Sequence, residues 1–190
     1  MHIEKDGLIS SFNELENVLM NYSLPDWDSL PDIELYMDQV ISLMKKYLEI
    51  YGDFTGTFKI ITPAMINNYV KLDIIPAPIK KKYSKKHLAY LLVICTLKQT
   101  LDIPTIKELM PAGLSDQDVK KTYNSFVKNQ QKAYTYVTQN LKSVAEPIFT
   151  HESDNPERMN DLIMQISASA NIFKILTDRL SRHSQKSEEI

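Results

Sequence analysis

The chain has 190 residues, of which 43% are hydrophobic and 24% are charged, so it can bury the core of one domain or of two small ones. Four glycines against nine prolines leave too few turn residues for an all-β protein of this length, and we predict an all-α fold. Taken over the whole chain, the formal net charge of -2 argues against a nucleic-acid partner.

The chain start and the single cysteine bear on the cellular setting. Cys95 lies inside an apolar run, where a buried thiol is expected and no disulfide can form within the chain. The N-terminus is polar and lacks the apolar stretch of a signal peptide, and the longest apolar run, near 88–97, is too short to span a membrane. We therefore expect a cytoplasmic protein.

The chain is predicted to begin with a short helix followed by a linker. Residues 12–20 show an amphipathic pattern, and Pro25 and Pro31 then interrupt the chain, which is typical of a linker. Trp27 lies in this linker between two aspartates. We expect its ring to anchor the linker to the helical core, with docking of a partner as the alternative.

A longer helix is predicted next. Apolar side chains recur at helical spacing over 33–51, with Ser29 and Asp32 as start signals and Gly52 as a stop signal. Residues 52–61 are interpreted as a loop or a short extended piece. This region therefore predicts a single helix and then an irregular connection.

The middle of the chain is predicted to hold two helices that flank a basic turn. Thr62 followed by Pro63 is the pair that caps and opens a helix, which we expect to end soon after Lys71. Prolines then break the chain, and 79–83 is predicted as a strand or an exposed turn. Ser84 caps the third helix, which carries core leucines up to Leu97 and Leu101.

Three further helices complete the prediction. Asp102 caps a short one over 105–110, and Ser115 opens a long one in a capping-box-like pattern that keeps helical spacing to Val144. The last helix is predicted over 156–182. The two long helices can pair with each other or with a second chain, so we expect a homodimer. Their Met, Tyr and Phe side chains are explained equally by core packing or by a pocket for an unknown small-molecule effector.

The local charge departs sharply from the overall value. The net charge is -8 over residues 1–58, +7 over 59–98 and -1 over 99–190. Five lysines fall within the seven positions 80–86, directly between two predicted helices. A solvated lysine-rich loop is one explanation of this run. The flanking helices favour another, because a capped helix, a basic turn and a second capped helix follow each other in a winged helix-turn-helix.

The residues of this region also carry a family resemblance. Segments 66–76, 82–88 and 103–109 resemble, in order and in most spacings, the N-terminal DNA-binding domain of MerR-type regulators. The resemblance implies a winged helix-turn-helix whose recognition helix enters the major groove while the wing contacts phosphates. The sequence departs from that family at three places. Asn67 and Asn68 replace an arginine and a tyrosine, and Asp73 replaces the turn glycine. Lysines also replace the arginines of the wing.

A closer resemblance covers residues 25–130. The segments 30–40, 65–71, 80–83 and 97–99 are similar to an uncharacterised bacterial family, a domain of unknown function often described as a candidate transcriptional regulator. This resemblance implies transcriptional regulation and supplies no ligand or operator. We therefore predict that the chain has three parts. They are a lead-in and linker over 1–30, a winged helix-turn-helix over 31–112, and a helical dimerisation or effector region over 113–190.

The predicted contacts with double-stranded DNA follow from residue chemistry. Thr62 would cap the recognition helix and leave its first N–H groups for the DNA backbone. Asn67 and Asn68 would hydrogen-bond adenine, although two solvated asparagines are the alternative. Tyr69 is expected either in the core or with its hydroxyl on a phosphate. The remaining predicted contacts are Lys71, Lys80, Lys81, Lys82, Tyr83, Lys85 and Lys86.

Other chemistry is absent from the sequence pattern. The four histidines lie far apart without a partner cysteine or paired carboxylates, and four scattered glycines cannot build a phosphate loop. We therefore expect no metal site, no cofactor and no enzyme activity. We predict a regulator that binds DNA, and the alternative is a helical adaptor that binds proteins and has lost DNA contact.

Overall fold

The computed structural model describes residues 5–53, 60–150 and 156–186, and this part of the chain is helical. The described residues contain no β-strand and only two isolated β-bridges, which agrees with the predicted all-α class. The chain forms two compact units, one of Ser23–Gln130 and one of Met1–Tyr22 with Gln131–Ile190. The domain boundaries predicted at residues 30 and 112 do not coincide with this division.

Eight helices are found in the described residues. They are α1 Lys5–Asn21, α2 Met37–Tyr47, α3 Glu49–Asp53, α4 Pro63–Lys71, α5 Lys85–Leu97, α6 Ile103–Leu109, α7 Asp116–Thr150 and α8 Pro156–Lys186. Each predicted helix has a counterpart. α1 begins earlier than the predicted residue 12, α6 begins at Ile103 rather than Thr105, and the predicted loop over 52–61 lies partly outside the described residues.

α5 is the centre of the Ser23–Gln130 unit. Its residues His87–Cys95 are all buried, which is typical of a helix surrounded by other elements rather than lying on a surface. α2 packs on α5 and α4, and α6 packs on α5. The predicted burial of Cys95 is confirmed, because its side chain is 1% exposed and its thiol is free.

Three helices begin at the N-cap residues that the sequence predicts. The Thr62 Oγ1 accepts the Met65 N–H at 3.2 Å, and Pro63 opens α4. The Asp102 Oδ1 accepts the Thr105 N–H at 2.8 Å, and hydrogen bonds to Thr105 hold the pKa of this exposed carboxyl below its usual value. Ser84 caps α5 as predicted.

The start predicted for the second helix is wrong. Its N-cap is Tyr36, whose N–H donates to the Gln39 side chain at 2.8 Å, and neither Ser29 nor Asp32 caps it. Leu35 is the reason, because its N–H and C=O both bond the backbone of Tyr83, at 2.9 and 2.8 Å, and hold it extended. The helix also ends at Tyr47, before the predicted stop at Gly52, and α3 follows.

The segment from Leu24 to Tyr36 packs along the first turns of α7. The Trp27 N–H donates to Asn124 Oδ1 at 2.9 Å, and the Tyr123 hydroxyl donates to the Pro25 carbonyl at 2.7 Å. Leu24 and Leu30 are both buried. The linker predicted from its prolines is therefore part of the Ser23–Gln130 unit, and its half-buried Trp27 serves as an anchor.

Candidate nucleic-acid interface

α4 has one buried and one exposed face. Ile66 is fully buried and Tyr69 is 5% exposed, whereas Asn67, Asn68 and Lys71 are exposed. Positions three and four residues apart share a face of a helix, so Asn67 and Lys71 lie together and Asn68 lies beside them. The amphipathic pattern of α4 thus leaves two amides and one ammonium group in solvent.

The basic turn is a two-residue hairpin rather than a regular strand. Ile79 and Lys82 form an antiparallel bridge in which the Lys82 N–H donates to the Ile79 carbonyl at 2.9 Å. Lys80 and Lys81 occupy its tip with φ of 49° and 62°. Two consecutive positive φ values are the mark of a type I′ turn, which normally holds Asn and Gly. Both lysines are exposed, and neither has an ion pair within the described residues.

Two of the other predicted contact lysines are held between a carboxylate and an aromatic ring. Lys82 lies 3.5 Å from Glu34 and 5.8 Å from the Tyr36 ring centroid. Lys85 lies 3.8 Å from Asp32, and its ammonium is 5.8 Å from the ring centroid of Trp27. The carboxylates and rings all belong to the segment 24–36. These lysines are therefore neutralised locally in a way that the sequence did not reveal.

Lys86 is also occupied within the chain. Its ammonium lies 3.1 Å from Asp116 and donates to the Leu114 carbonyl. Asp73, which stands at the turn after α4 with φ 52°, pairs with Lys107 at 3.6 Å. Of the lysines predicted to contact phosphate, three are thus paired within the protein, and Lys71, Lys80 and Lys81 show no ion pair in the described part of the chain.

The two predicted tyrosine contacts are buried. Tyr69 is 5% exposed and Tyr83 is 3% exposed, so both rings pack in the core. Burial raises the pKa of Tyr69 to about 12 and raises the pKa of Tyr83 above its usual value. Core packing is therefore the role that the geometry favours for each, and phosphate contact by either hydroxyl stays a prediction.

His87 is a residue of this region that the sequence analysis did not assign to the site. It stands three residues after Ser84, is 5% exposed, and its ring meets that of Tyr83 edge to face with centroids 5.4 Å apart. The available signal was its place in the capping-box spacing, where glutamate or glutamine is usual. The ring therefore joins the start of α5 to the end of the hairpin.

Comparison with known families places most of this chain in one of them. The model of a domain of unknown function, DUF1836, matches residues 25–145, which is more than half of the chain. The chain belongs to the DUF1836 family. No curated protein and no solved structure matches the chain. The predicted membership of a family of unknown function is thereby confirmed, and all the predicted DNA contacts lie within the DUF1836 region.

The described residues offer neither a metal site nor a membrane-spanning helix. The described residues hold no group of three or more His, Cys, Asp or Glu placed to bind a metal ion. None of the helices over 5–53, 60–150 and 156–186 combines the length and the apolar character needed to cross a membrane. The hairpin and the exposed face of α4 are therefore the features on which a functional proposal can be built.

Proposed function

We propose that this protein binds double-stranded DNA through a MerR-like winged helix-turn-helix and regulates transcription. In this proposal α4 is the recognition helix and the hairpin 79–83 is the wing. The single observation that supports it most is the tip of the hairpin, where Lys80 and Lys81 are exposed, unpaired in the described chain and fixed by a tight turn.

The exposed face of α4 suits contact with the DNA bases. Asn67 and Asn68 carry amides that can donate to and accept from an adenine edge, a pairing worth about 1 to 3 kcal/mol of discrimination where aligned. Lys71 and the Thr62-capped helix start add favourable positions for phosphate. Base contact from α4 and phosphate contact from the hairpin together define the proposed function.

Charge reversal at the hairpin tests the proposal. We expect Lys80→Glu with Lys81→Glu to weaken binding to generic duplex DNA about tenfold or more at 50 mM salt, because two phosphate contacts become repulsions. Fluorescence anisotropy measures the affinity. The matched control is Lys45→Glu with Lys46→Glu, an adjacent exposed pair on α2 that the proposal places outside the interface.

The outcomes separate the alternatives. Loss of affinity in the hairpin variant with little change in the α2 variant supports the proposal. Equal loss in both variants indicates a general charge effect, and no measurable binding of the unaltered chain at about 50 mM salt contradicts DNA binding. Selection of bound sites from random duplex DNA would then identify the operator.

A protein-binding adaptor is the second candidate. The observation in its favour is that Lys82, Lys85 and Lys86 each pair with a carboxylate of the chain, which leaves fewer cations for DNA than the sequence predicts. In that case the hairpin would be a structural turn. The anisotropy experiment distinguishes the adaptor, because it predicts no DNA affinity at low salt.

We also propose that the protein forms a homodimer and that α8 forms the dimer interface. α8 leaves large apolar side chains exposed, among them Ile166 at 42% and Phe173 at 53%. The others are Ile163, Met164, Ile172, Ile175, Leu176 and Leu180. Eight large apolar side chains exposed on the described part of one helix favour an interaction surface there. A second copy is the proposed occupant, since a two-fold dimer would present two recognition helices to a palindromic site.

Introducing charge on α8 tests the dimer. We expect Ile166→Glu with Phe173→Glu to convert a dimer into a monomer in sedimentation equilibrium, because two carboxylates would be buried in the interface. Ser167→Glu, an exposed polar position on α8, is the control and should leave the dimer intact. A monomer for the unaltered chain at micromolar concentration contradicts the dimer.

A further inference from the structure

His87 is connected to the hairpin through the capping of α5. The Ser84 N–H donates to His87 Nδ1 at 3.0 Å, and the Ser84 hydroxyl oxygen lies 2.9 Å from the same nitrogen. Because Nδ1 accepts the backbone N–H, it carries no proton in this arrangement. The ring is therefore the neutral tautomer with its proton on Nε2.

The same ring supports the residues that lead out of the hairpin. Its contact with the Tyr83 ring fixes the residue that follows Lys82, and Tyr83 in turn bonds the backbone of Leu35 in both directions. The residue that caps α5, Ser84, comes directly after. The imidazole thus contacts both residues that join the hairpin to α5.

The second nitrogen of the ring is enclosed. Nε2 is buried and has no well-aligned hydrogen bond with the described residues, although the backbone of Pro76 and Ala77 faces the ring and favours its protonated form. A buried polar atom without a well-aligned partner is costly. A protonated ring would add a charge in this enclosed space and a hydrogen on Nδ1 that faces the Ser84 N–H.

We propose that His87 is a positioning residue that holds the hairpin for DNA contact only while its ring is neutral, because protonation of Nδ1 breaks the bond from the Ser84 N–H, leaves only the Ser84 hydroxyl oxygen as a partner and loosens the hairpin that presents Lys80 and Lys81. This proposal rests on the proposed DNA binding and adds to it a dependence on pH. The geometry that carries it is the acceptor role of Nδ1 together with the enclosure of the ring.

The groups around the ring determine how it titrates. Lys86 is the neighbouring charge on α5, the Tyr83 phenol faces the ring from the hairpin, and the backbone of Pro76 and Ala77 approaches it from the turn after α4. Burial is the main cause that lowers the pKa of His87 below its usual value of 6.5, and the charge of Lys86 acts in the same direction. The backbone of Pro76 and Ala77 opposes this shift.

The sign of the effect follows from this lowered pKa. The folded state binds its proton at a lower pH than the unfolded state, so the contribution of His87 to stability is complete above the unfolded pKa of about 6.5. It is lost as the pH falls through the folded pKa. DNA affinity attributable to the hairpin should fall once the pH drops below the folded pKa.

His87→Gln provides the decisive variant. Glutamine is the usual capping-box residue at this position and keeps an acceptor for the Ser84 N–H without titrating. We expect its DNA affinity at pH 8 to match that of the unaltered chain. Below the folded pKa, affinity of the unaltered chain should fall relative to His87→Gln by about tenfold per pH unit. Anisotropy from pH 8 to pH 5 at fixed salt measures this difference.

A second variant tests the acceptor role of His87, and an NMR titration tests the switch independently of DNA binding. His87→Ala, which lacks the acceptor, should bind DNA weakly at every pH in that range while retaining its helical circular dichroism. NMR titration of the unaltered chain should show the Ser84 amide shifting together with the His87 ring. If the Ser84 amide and the His87 ring titrate together but no DNA binds, the proposed function fails and the switch stands. Parallel pH profiles for the unaltered chain and His87→Gln would overturn the switch.

Discussion

At the residue scale, the carboxylates of the segment 24–36 decide how many lysines can meet phosphate. Asp32 and Glu34 are exposed, and they lie within 4 Å of Lys85 and Lys82. The exposed pair of Glu34 and Lys82 is of a kind that contributes little to folding, typically about 0 to 1 kcal/mol, so its effect on binding can be separated from stability. The two acids therefore stand where DNA phosphates would otherwise approach.

Neutralising these acids should strengthen DNA binding. We expect Asp32→Asn with Glu34→Gln to make the slope of log affinity against log salt steeper by up to about 1.8, because two lysines become available to phosphates. Anisotropy across a salt series measures the slope. Asp38→Asn, an exposed acid on α2 without an ion pair in the described chain, is the control for net charge. Identical slopes for the two variants would mean that Lys82 and Lys85 do not contact DNA.

At the element scale, the hairpin combines backbone strain with charge. Lys80 and Lys81 adopt left-handed conformations that cost a residue with a side chain more than they cost asparagine or glycine. Strained residues of this kind cluster at functional sites, where the surrounding structure holds them in place. Lysine is therefore an unfavourable residue for the backbone of this turn, whereas its ammonium group suits contact with a phosphate.

Replacing the tip with turn residues should therefore change stability and binding in opposite directions. We expect Lys80→Asn with Lys81→Gly to raise the free energy of unfolding by about 1 kcal/mol, because the strain is relieved. The same variant should lose DNA affinity, because two cations are removed. Urea denaturation and anisotropy measure the two quantities. A variant that is more stable and binds DNA equally well would show that the tip serves only as a turn.

The helix starts differ in how well local sequence predicts them. Local signals sufficed for elements that begin with their own cap, as at Thr62 and Asp102, because the cap and the helix are neighbours in sequence. They failed for α2, whose start depends on Leu35 pairing with Tyr83, 48 positions along the chain. The ion pairs of Lys82 and Lys85 escaped prediction for the same reason, since their partners are distant in sequence.

At the scale of the whole molecule, the formal charge of -2 hides a chain that alternates acidic and basic segments. Folding brings part of the acidic segment onto the basic one, through Glu34 on Lys82 and Asp32 on Lys85. The candidate surface is therefore smaller than its sequence charge suggests. Lys71, Lys80 and Lys81 are the lysines on which the account depends.

The number of lysines on this surface sets the expected salt dependence of DNA affinity. Three phosphate contacts predict a slope of about -2.7, or roughly a 40-fold loss of affinity between 50 and 200 mM salt, whereas six contacts predict about a thousandfold. A duplex of about ten base pairs, one helical turn, offers room for one recognition helix and its wing. The slope on such a duplex counts the contacts of one protomer.

The salt dependence of affinity for this short duplex is the most direct test of the account. We predict a slope near -2.7 for the unaltered chain and near -0.9 for Lys80→Glu with Lys81→Glu, in which Lys71 alone remains. A slope close to zero for the unaltered chain, or one that the hairpin variant leaves unchanged, would contradict the claim that this surface binds DNA.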